Sequence, residues 1–214
     1  MIHPVYLFDL DGTLIDSMPF WQKAMLISLE EEKVEYPENL LDIICPLGYR
    51  GTAEYFVNNL HLNTTPDELV EKMYASAYVE YRDNIPFKAG VRDFLLRMKE
   101  KGHSLNVLTA SPHIMLDTAL KRLGVFELFD NVWSCEDFKT DKTNPEIYLA
   151  VAKKLSVSPS EIAFFDDNIN SIKGATRAGL HTVGVFDISG RGFEKELRGI
   201  ADKYVYTFEN LEEI

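Results

Sequence analysis

Val5-Tyr6-Leu7-Phe8-Asp9-Leu10-Asp11-Gly12-Thr13 decides the fold. Four apolar residues, three of them β-branched or aromatic, run straight into two carboxylates two positions apart, with a glycine behind them. A strand without polar alternation is buried on both faces, which is the situation of a parallel sheet covered by helices. In open parallel sheets ligands bind beyond the carboxyl ends of the strands, and that is where this stretch puts Asp9 and Asp11. Taken alone, Asp9-Leu10-Asp11-Gly12 reads equally well as a turn, since Asp and Gly populate turns for conformational reasons.

Working outward, similar apolar runs recur at Leu105 to Leu108, Ile162 to Phe165, Thr182 to Val185 and Tyr204 to Tyr206. Helical patterns separate most of them. Val91, Phe94, Leu95 and Met98 recur at helical spacing within Gly90 to Lys101, and Gly102 stops the segment. Ile114 to Leu123 ends likewise at Gly124, and Asn144-Pro145-Glu146 supplies a cap, a first-turn proline and an acid ahead of Ile147, Leu149, Ala150 and Leu155. The alternation predicts an α/β class fold, a Rossmann-like parallel sheet core with helices on both faces. Residues 16–85 break the rhythm. They hold helical patterns at Trp21 to Glu31 and Pro66 to Tyr81, punctuated by Pro19, Pro37, Pro46 and Pro66, and no convincing strand. They read as an inserted small helical cap domain, which leaves 1–15 and 86–214 for the core, with adjacent crossings near Asp16 and Pro86.

Across 214 residues, 22 Lys and Arg face 34 Asp and Glu, a net charge of -12 that disfavours nucleic-acid and membrane-surface partners. Cys45 and Cys135 are too far apart in sequence for a paired metal motif and read as reduced, buried thiols. The apolar start is short and interrupted by Asp9 and Asp11, and no run of about 18 apolar residues occurs, so neither a signal peptide nor a spanning helix is expected. A cytoplasmic protein follows as the expectation.

A second acidic pair, Asp166-Asp167, closes the Ile162 to Phe165 run. Alone it could cap the following helix, which Gly179 would end. Together with Asp9 and Asp11 it would bring four carboxylates to neighbouring strand ends, tolerable only with a cation among them. All-oxygen ligands suit Mg²⁺, which takes a few carboxylates plus water and phosphate. The Leu105 to Leu108 run ends in Thr109-Ala110-Ser111-Pro112, where the Thr109 hydroxyl and the backbone N–H groups of Ala110 and Ser111 could hold phosphate oxygens at a helix start. Ser111 also reads as that helix's N-cap, and His113 as a solvated surface histidine. Lys142, just before the capped helix, reads either as a solvated surface charge or as the fixed cation such a site needs.

In order, these motifs resemble the haloacid dehalogenase-like hydrolase superfamily, specifically its phosphatases with a helical cap after the first strand, relatives of phosphoglycolate phosphatase and β-phosphoglucomutase. Asp9 to Ser17 is similar to the family's first motif, Thr109 to its second, Lys142 to Tyr148 to its third, with Asp141 departing from the family's common glycine. Phe164 to Ile172 is similar to the fourth. The resemblance implies an enzyme that hydrolyses a small-molecule phosphomonoester, with Asp9 as nucleophile forming an aspartyl-phosphate and Asp11 as general acid and base. It also implies phosphoryl contacts from Thr109 and Lys142, and Mg²⁺ held by Asp9, the Asp11 carbonyl, Asp167 and Asp166, the last directly or through water. Leu47 to Thr52 is similar to the family's substrate-reading loop, making Arg50 a candidate contact for a second anionic group or else a solvated turn arginine. Phe20 and Trp21 read as cleft lining or, by their spacing, as helix core. Phosphomutases of the β-phosphoglucomutase type are the alternative, but they carry a histidine where this chain has Trp21. A non-catalytic phosphate-binding module is less consistent with intact Asp9, Asp11 and Lys142. Glu209 to Glu213 reads as a solvated acidic tail.

Overall fold

The computed structural model describes residues 3–44 and 47–214. Cys45, expected as a buried thiol, and Pro46, expected as a helix break, lie outside the described residues.

Strand β1 (Val5–Phe8) is the centre of a six-stranded sheet because its two faces are equally apolar. Tyr6 and Phe8 pack on one face against Phe94 and Phe165, with the Phe8 and Phe165 rings 4.8 Å apart, and Phe208 packs in turn on Phe94 and Phe165. Val5 and Leu7 join Tyr148, Phe164, Ile172 and Ala175 on the other. Each fully buried aromatic or aliphatic side chain contributes about 1.5–3 kcal/mol, which is why this strand can do without polar residues. Around it lie β2 (Ser104–Thr109), β3 (Asn131–Ser134), β4 (Ile162–Asp166), β5 (His181–Val185) and β6 (Lys203–Val205), in the spatial order β3-β2-β1-β4-β5-β6. Every neighbouring pair is parallel. β1 therefore sits between β2 and β4, and the three strands whose ends carry Asp9, Thr109 and Asp166 are adjacent.

Strand β3 has no counterpart in the sequence reading. Asn131, Val132 and Trp133 are only half-buried at the sheet edge, so they lack the apolar run of the central strands. The last strand is also one residue earlier than expected, with Tyr206 left exposed.

The chain forms two compact units, Met1–Asp16 with Pro86–Ile214, and Ser17–Ile85. In the first, α5 (Val91–Glu100), α6 (His113–Arg122), α7 (Pro145–Leu155), α8 (Ile169–Ala178) and α9 (Glu194–Ile200) accompany the sheet. Asn144 caps α7 by accepting from the Glu146 N–H at 3.1 Å, and Gly179 ends α8 in the left-handed conformation. Gly90 is required by crowding: a Cβ there would lie 2.3 Å from the Glu209 nitrogen. Residues 208–214 are accordingly docked. Phe208 N–H donates to the Ala89 carbonyl, Ile214 N–H to the Tyr6 hydroxyl and Arg97 to the Leu211 carbonyl, so the backbone of the Glu209 to Glu213 stretch is anchored while Glu209, Asn210 and Glu212 remain exposed as expected.

The second unit is helical: α1 (Met18–Glu32), α2 (Leu40–Ile44), α3 (Gly48–Asn59) and α4 (Pro66–Asp83), with no strand among its described residues. Thr65 and Glu68 form a reciprocal capping box at the start of α4. Trp21 donates to the Tyr81 hydroxyl at 2.7 Å and packs on Tyr49, ring centroids 4.5 Å apart, which supports the helix-core reading of that residue. Among the described residues no helix is long and apolar enough to cross a membrane.

Candidate active site

Asp9 follows β1 directly and extends its ladder, its N–H donating to the Phe165 carbonyl at 2.9 Å. The strand thus aims a 4% exposed carboxylate past its own end. Asp166, the last residue of β4, is fully buried beside it. Lys142 joins the two: its Nζ donates to Asp9 Oδ1 at 2.5 Å and to Asp166 Oδ2 at 2.7 Å. Only 8% of Lys142 is exposed, so the solvated-surface reading of this residue fails. Its loop is braced from below by the Tyr148 hydroxyl, within 2.9 Å of the Lys142 carbonyl and 3.0 Å of the Ser171 carbonyl. Asp166 Oδ1 accepts from the Asn168 N–H, while the cap of α8 is Asn168 itself.

Asp167 is held by Thr13, a residue to which the sequence alone attaches no role. Thr13 Oγ1 donates to Asp167 Oδ1 and accepts from the Asp167 N–H, both at 3.1 Å. A hydroxyl immediately after an acidic turn was the available signal. Between Asp11 and Thr13, Gly12 adopts φ +75° and passes so close to Asp167 that a Cβ would lie 2.6 Å from its Oδ2.

The four expected carboxylates do not all converge. Asp9, Asp166 and Asp167 present oxygens within 4.8 Å of one another, whereas the Asp11 side chain turns to the end of β2. There its Oδ2 accepts from Ser111 Oγ at 2.6 Å and, more weakly, from Thr109 Oγ1 at 3.5 Å. Ser111 is therefore not the N-cap of α6. Pro112 takes that position with extended backbone, and the Ser111 hydroxyl is drawn to the Asp11 carboxyl instead of to a backbone N–H. Thr109 Oγ1 accepts from the Ser111 N–H at 3.1 Å, fixing the loop, and Ala110 between them is exposed. His113 is not simply solvated: it bridges Asp117 at 3.2 Å and Asp137 at 2.9 Å, and the Asp137 bond in particular holds its pKa above the ordinary value.

The electrostatics follow from three carboxylates around one ammonium. Burial raises the Asp9 pKa well above the carboxylate range, against the pull of Lys142 and with the push of Asp166, Asp167 and Asp11. Burial opposes the charge of Lys142, yet Asp166 and Asp9 hold its pKa well above that of an ordinary lysine. Asp167 is pushed up to about 8, by burial first, then by Asp166 and Asp187. Three crowded carboxyl groups that resist full ionisation beside one ammonium form a set of hard oxygens whose charge a hard divalent cation would compensate, and this donor set fits such an ion. The buried Cys135 thiol, raised to about 11 by burial, is no nucleophile. Arg50 belongs to the helical unit, on α3, where Glu54 at 2.9 Å and Asp67 bind it.

The fold is a parallel α/β sheet flanked by helices, with a cluster of carboxylates and one buried ammonium at its strand ends. Residues 6–185 match the model of the haloacid dehalogenase-like hydrolases, and the chain belongs to that family. It is similar to Hexitol phosphatase B of Escherichia coli K12, 30% identical over 186 residues, which cover 83% of this chain and 81% of the relative. It is 25% identical over 177 residues to the Phosphorylated carbohydrates phosphatase of Thermotoga maritima, covering 83% and 82%. A Thermotoga maritima structure provisionally assigned as a β-phosphoglucomutase superposes with a TM-score of 0.82 at 25% identity, covering 96% of this chain and 95% of that one. The chain is accordingly an enzyme of the phosphoric monoester hydrolase kind.

Proposed function

We propose that this protein is a Mg²⁺-dependent phosphatase that hydrolyses a small phosphorylated sugar or polyol through an aspartyl-phosphate on Asp9. The observation that carries the reading is the Lys142 ammonium bridging Asp9 and Asp166 at adjacent strand ends. Asp9 Oδ attacks phosphorus in line with the departing alkoxide, and the P–O bond to the alcohol breaks as the Asp9–phosphorus ester forms. Lys142, the Thr109 hydroxyl and the Ala110 N–H bind and orient the phosphoryl oxygens, while the Ser111 N–H is already given to Thr109 Oγ1 and holds that hydroxyl in place. Asp11 gives its proton to the leaving alcohol, then takes one from the water that attacks the acyl phosphate and frees inorganic phosphate. Ser111 keeps the Asp11 carboxyl aimed at that position.

Asp9, Asp166 and Asp167 would hold the cation, with the Asp11 carbonyl as the further ligand that the family resemblance implies. Mg²⁺ supplies charge neutralisation and Lewis-acid polarisation of the phosphoryl group. The sugar or polyol class comes from the names of the relatives, and the net charge of -12 supports a small-molecule partner over a polyanion. Trp21, engaged with Tyr81 where the mutases carry histidine, favours hydrolysis over the phosphomutase alternative.

The test is phosphate release from a panel of hexitol, hexose and glycolate phosphates, with Mg²⁺ or EDTA, for the wild type and Asp9→Asn. Turnover should require both the cation and Asp9, with a loss of ~10⁴-fold or more in the variant. Release that persists in Asp9→Asn would rule out the covalent route.

A further inference from the structure

We propose that Lys88 is a positioning residue, whose ammonium locks the Gly12–Leu14 loop in the geometry that Asp11 and Asp167 need for phosphoryl transfer; this rests on the phosphatase reading above. No motif points to Lys88, which lies in the segment leading from the helical unit to α5. All three of its ammonium donors are used. Nζ donates to the Gly12 carbonyl at 2.7 Å, the Phe186 carbonyl at 2.5 Å and Asp187 Oδ2 at 2.8 Å. The side chain is 15% exposed and that of Asp187 2%, so the ion pair is desolvated.

The same residue grips the loop twice, because the Lys88 N–H donates to the Leu14 carbonyl at 3.0 Å. Between the two gripped residues stands Thr13, the reciprocal partner of Asp167. Gly12, on the other side, is pressed against the Asp167 carboxylate with no room for a Cβ. A shift of the Gly12 peptide therefore moves Asp11 before it and Asp167 across from it. Asp187 is in turn fixed by Ser189, whose N–H and hydroxyl donate to Oδ1 at 2.9 and 2.6 Å. The loop after β5 thus anchors Lys88, and Lys88 anchors the loop after β1. Lys88 touches no reacting atom.

Lys88→Met alone strands a buried carboxylate and lowers stability for that reason. The informative variant is Lys88→Met with Asp187→Asn, which removes both charges but still leaves the Gly12 carbonyl without its ammonium donor. Three quantities are read at 25 °C: kcat and KM for an aryl phosphate, Tm, and amide hydrogen exchange in a peptide spanning residues 10–15. In the double variant Tm should return toward the wild-type value. The kcat should stay reduced by roughly 10- to 100-fold with KM little changed, since misplacing catalytic groups by a fraction of an ångström to an ångström has that effect. Exchange at residues 10–15 should be faster than in the wild type.

Recovery of kcat together with Tm, or unchanged exchange, would overturn the positioning role and leave Lys88 a stabilising ion pair. If the wild type itself releases no phosphate, the phosphatase reading fails, and the exchange measurement still decides whether Lys88 holds the loop. Should the double variant not fold, Lys88→Gln takes its place with the same three readouts.

Discussion

Lys142 and Arg50 are both cations bound by two carboxylates, and they have almost nothing else in common. Lys142 is buried between Asp9 and Asp166, neither more than 4% exposed. The Arg50 side chain is 59% exposed, and its partners Glu54 and Asp67 are 52% and 80% exposed. In the first place charges attract at low effective dielectric and each must be compensated; in the second, water and salt screen them. The buried group owes its geometry to the adjacency of β1 and β4, which no side-chain rotation can undo. The exposed group can rearrange around whatever it meets. The candidate site's charges are gathered where the sheet fixes them, whereas the Arg50 ion pairs lie where water reaches them.

Breaking that contrast is most severe at its buried end. Lys142→Met would leave Asp9 and Asp166 without their cation, a loss of roughly 3–5 kcal/mol for an orphaned buried pair, reduced where Asp9 takes up a proton. The kcat should fall by ~10²–10³ as phosphoryl-oxygen stabilisation disappears. Thermal unfolding and steady-state kinetics measure both. A variant as stable and as fast as the wild type would mean that Lys142 is no more consequential than a surface lysine.

Proton uptake sharpens the same distinction. Asp9 and Asp167 have folded pKa values raised above 3.8, Asp167 to about 8, so between about 4 and 8 the Asp167 carboxyl, with Asp9 acting in the same direction, holds more protons in the native state than in the unfolded chain, opposed by His3, whose pKa burial lowers. Stability then falls as pH rises through that window. His113, held up by Asp137, works in the same direction: its contribution is complete below the unfolded value of 6.5 and is lost as pH rises through the folded one. In EDTA, Tm should decline from pH 5 to pH 8, and saturating Mg²⁺ should flatten the decline by favouring ionised carboxylates, with protons released on binding. A Tm in EDTA that rises across this range would contradict the raised values.

The same contrast explains what could be read in advance. Asp9, Thr109, Lys142 and the Asp166-Asp167 pair are legible because each ends or follows an apolar strand or opens a capped helix, and adjacent parallel strands bring such ends together. The burial of Lys142 is not written in its neighbours, which are all polar. Ser111 misleads because its local role, capping α6, loses to Asp11, a partner 100 positions away that only the β1–β2 pairing brings near. Strand β3 escapes notice because an edge strand with Asn131 and a half-buried Trp133 needs no apolar run. Lys88 is invisible for a similar reason: its three acceptors come from two distant turns.

The smallest effect belongs to Arg50, and it bears on substrate choice. Because its ion pairs are exposed, Arg50→Ala should leave Tm unchanged within error at moderate salt. The kcat and KM for an aryl phosphate should be unchanged as well, since that compound has one anionic group. If Arg50 reads a second anion, as its loop's resemblance implies, KM for a sugar bisphosphate should rise by about tenfold, the scale of one charge-assisted contact. Glu54→Gln with Asp67→Asn releases the guanidinium from its two carboxylates and should lower that same KM. Equal KM values in all three proteins would assign Arg50 to the solvated surface of α3.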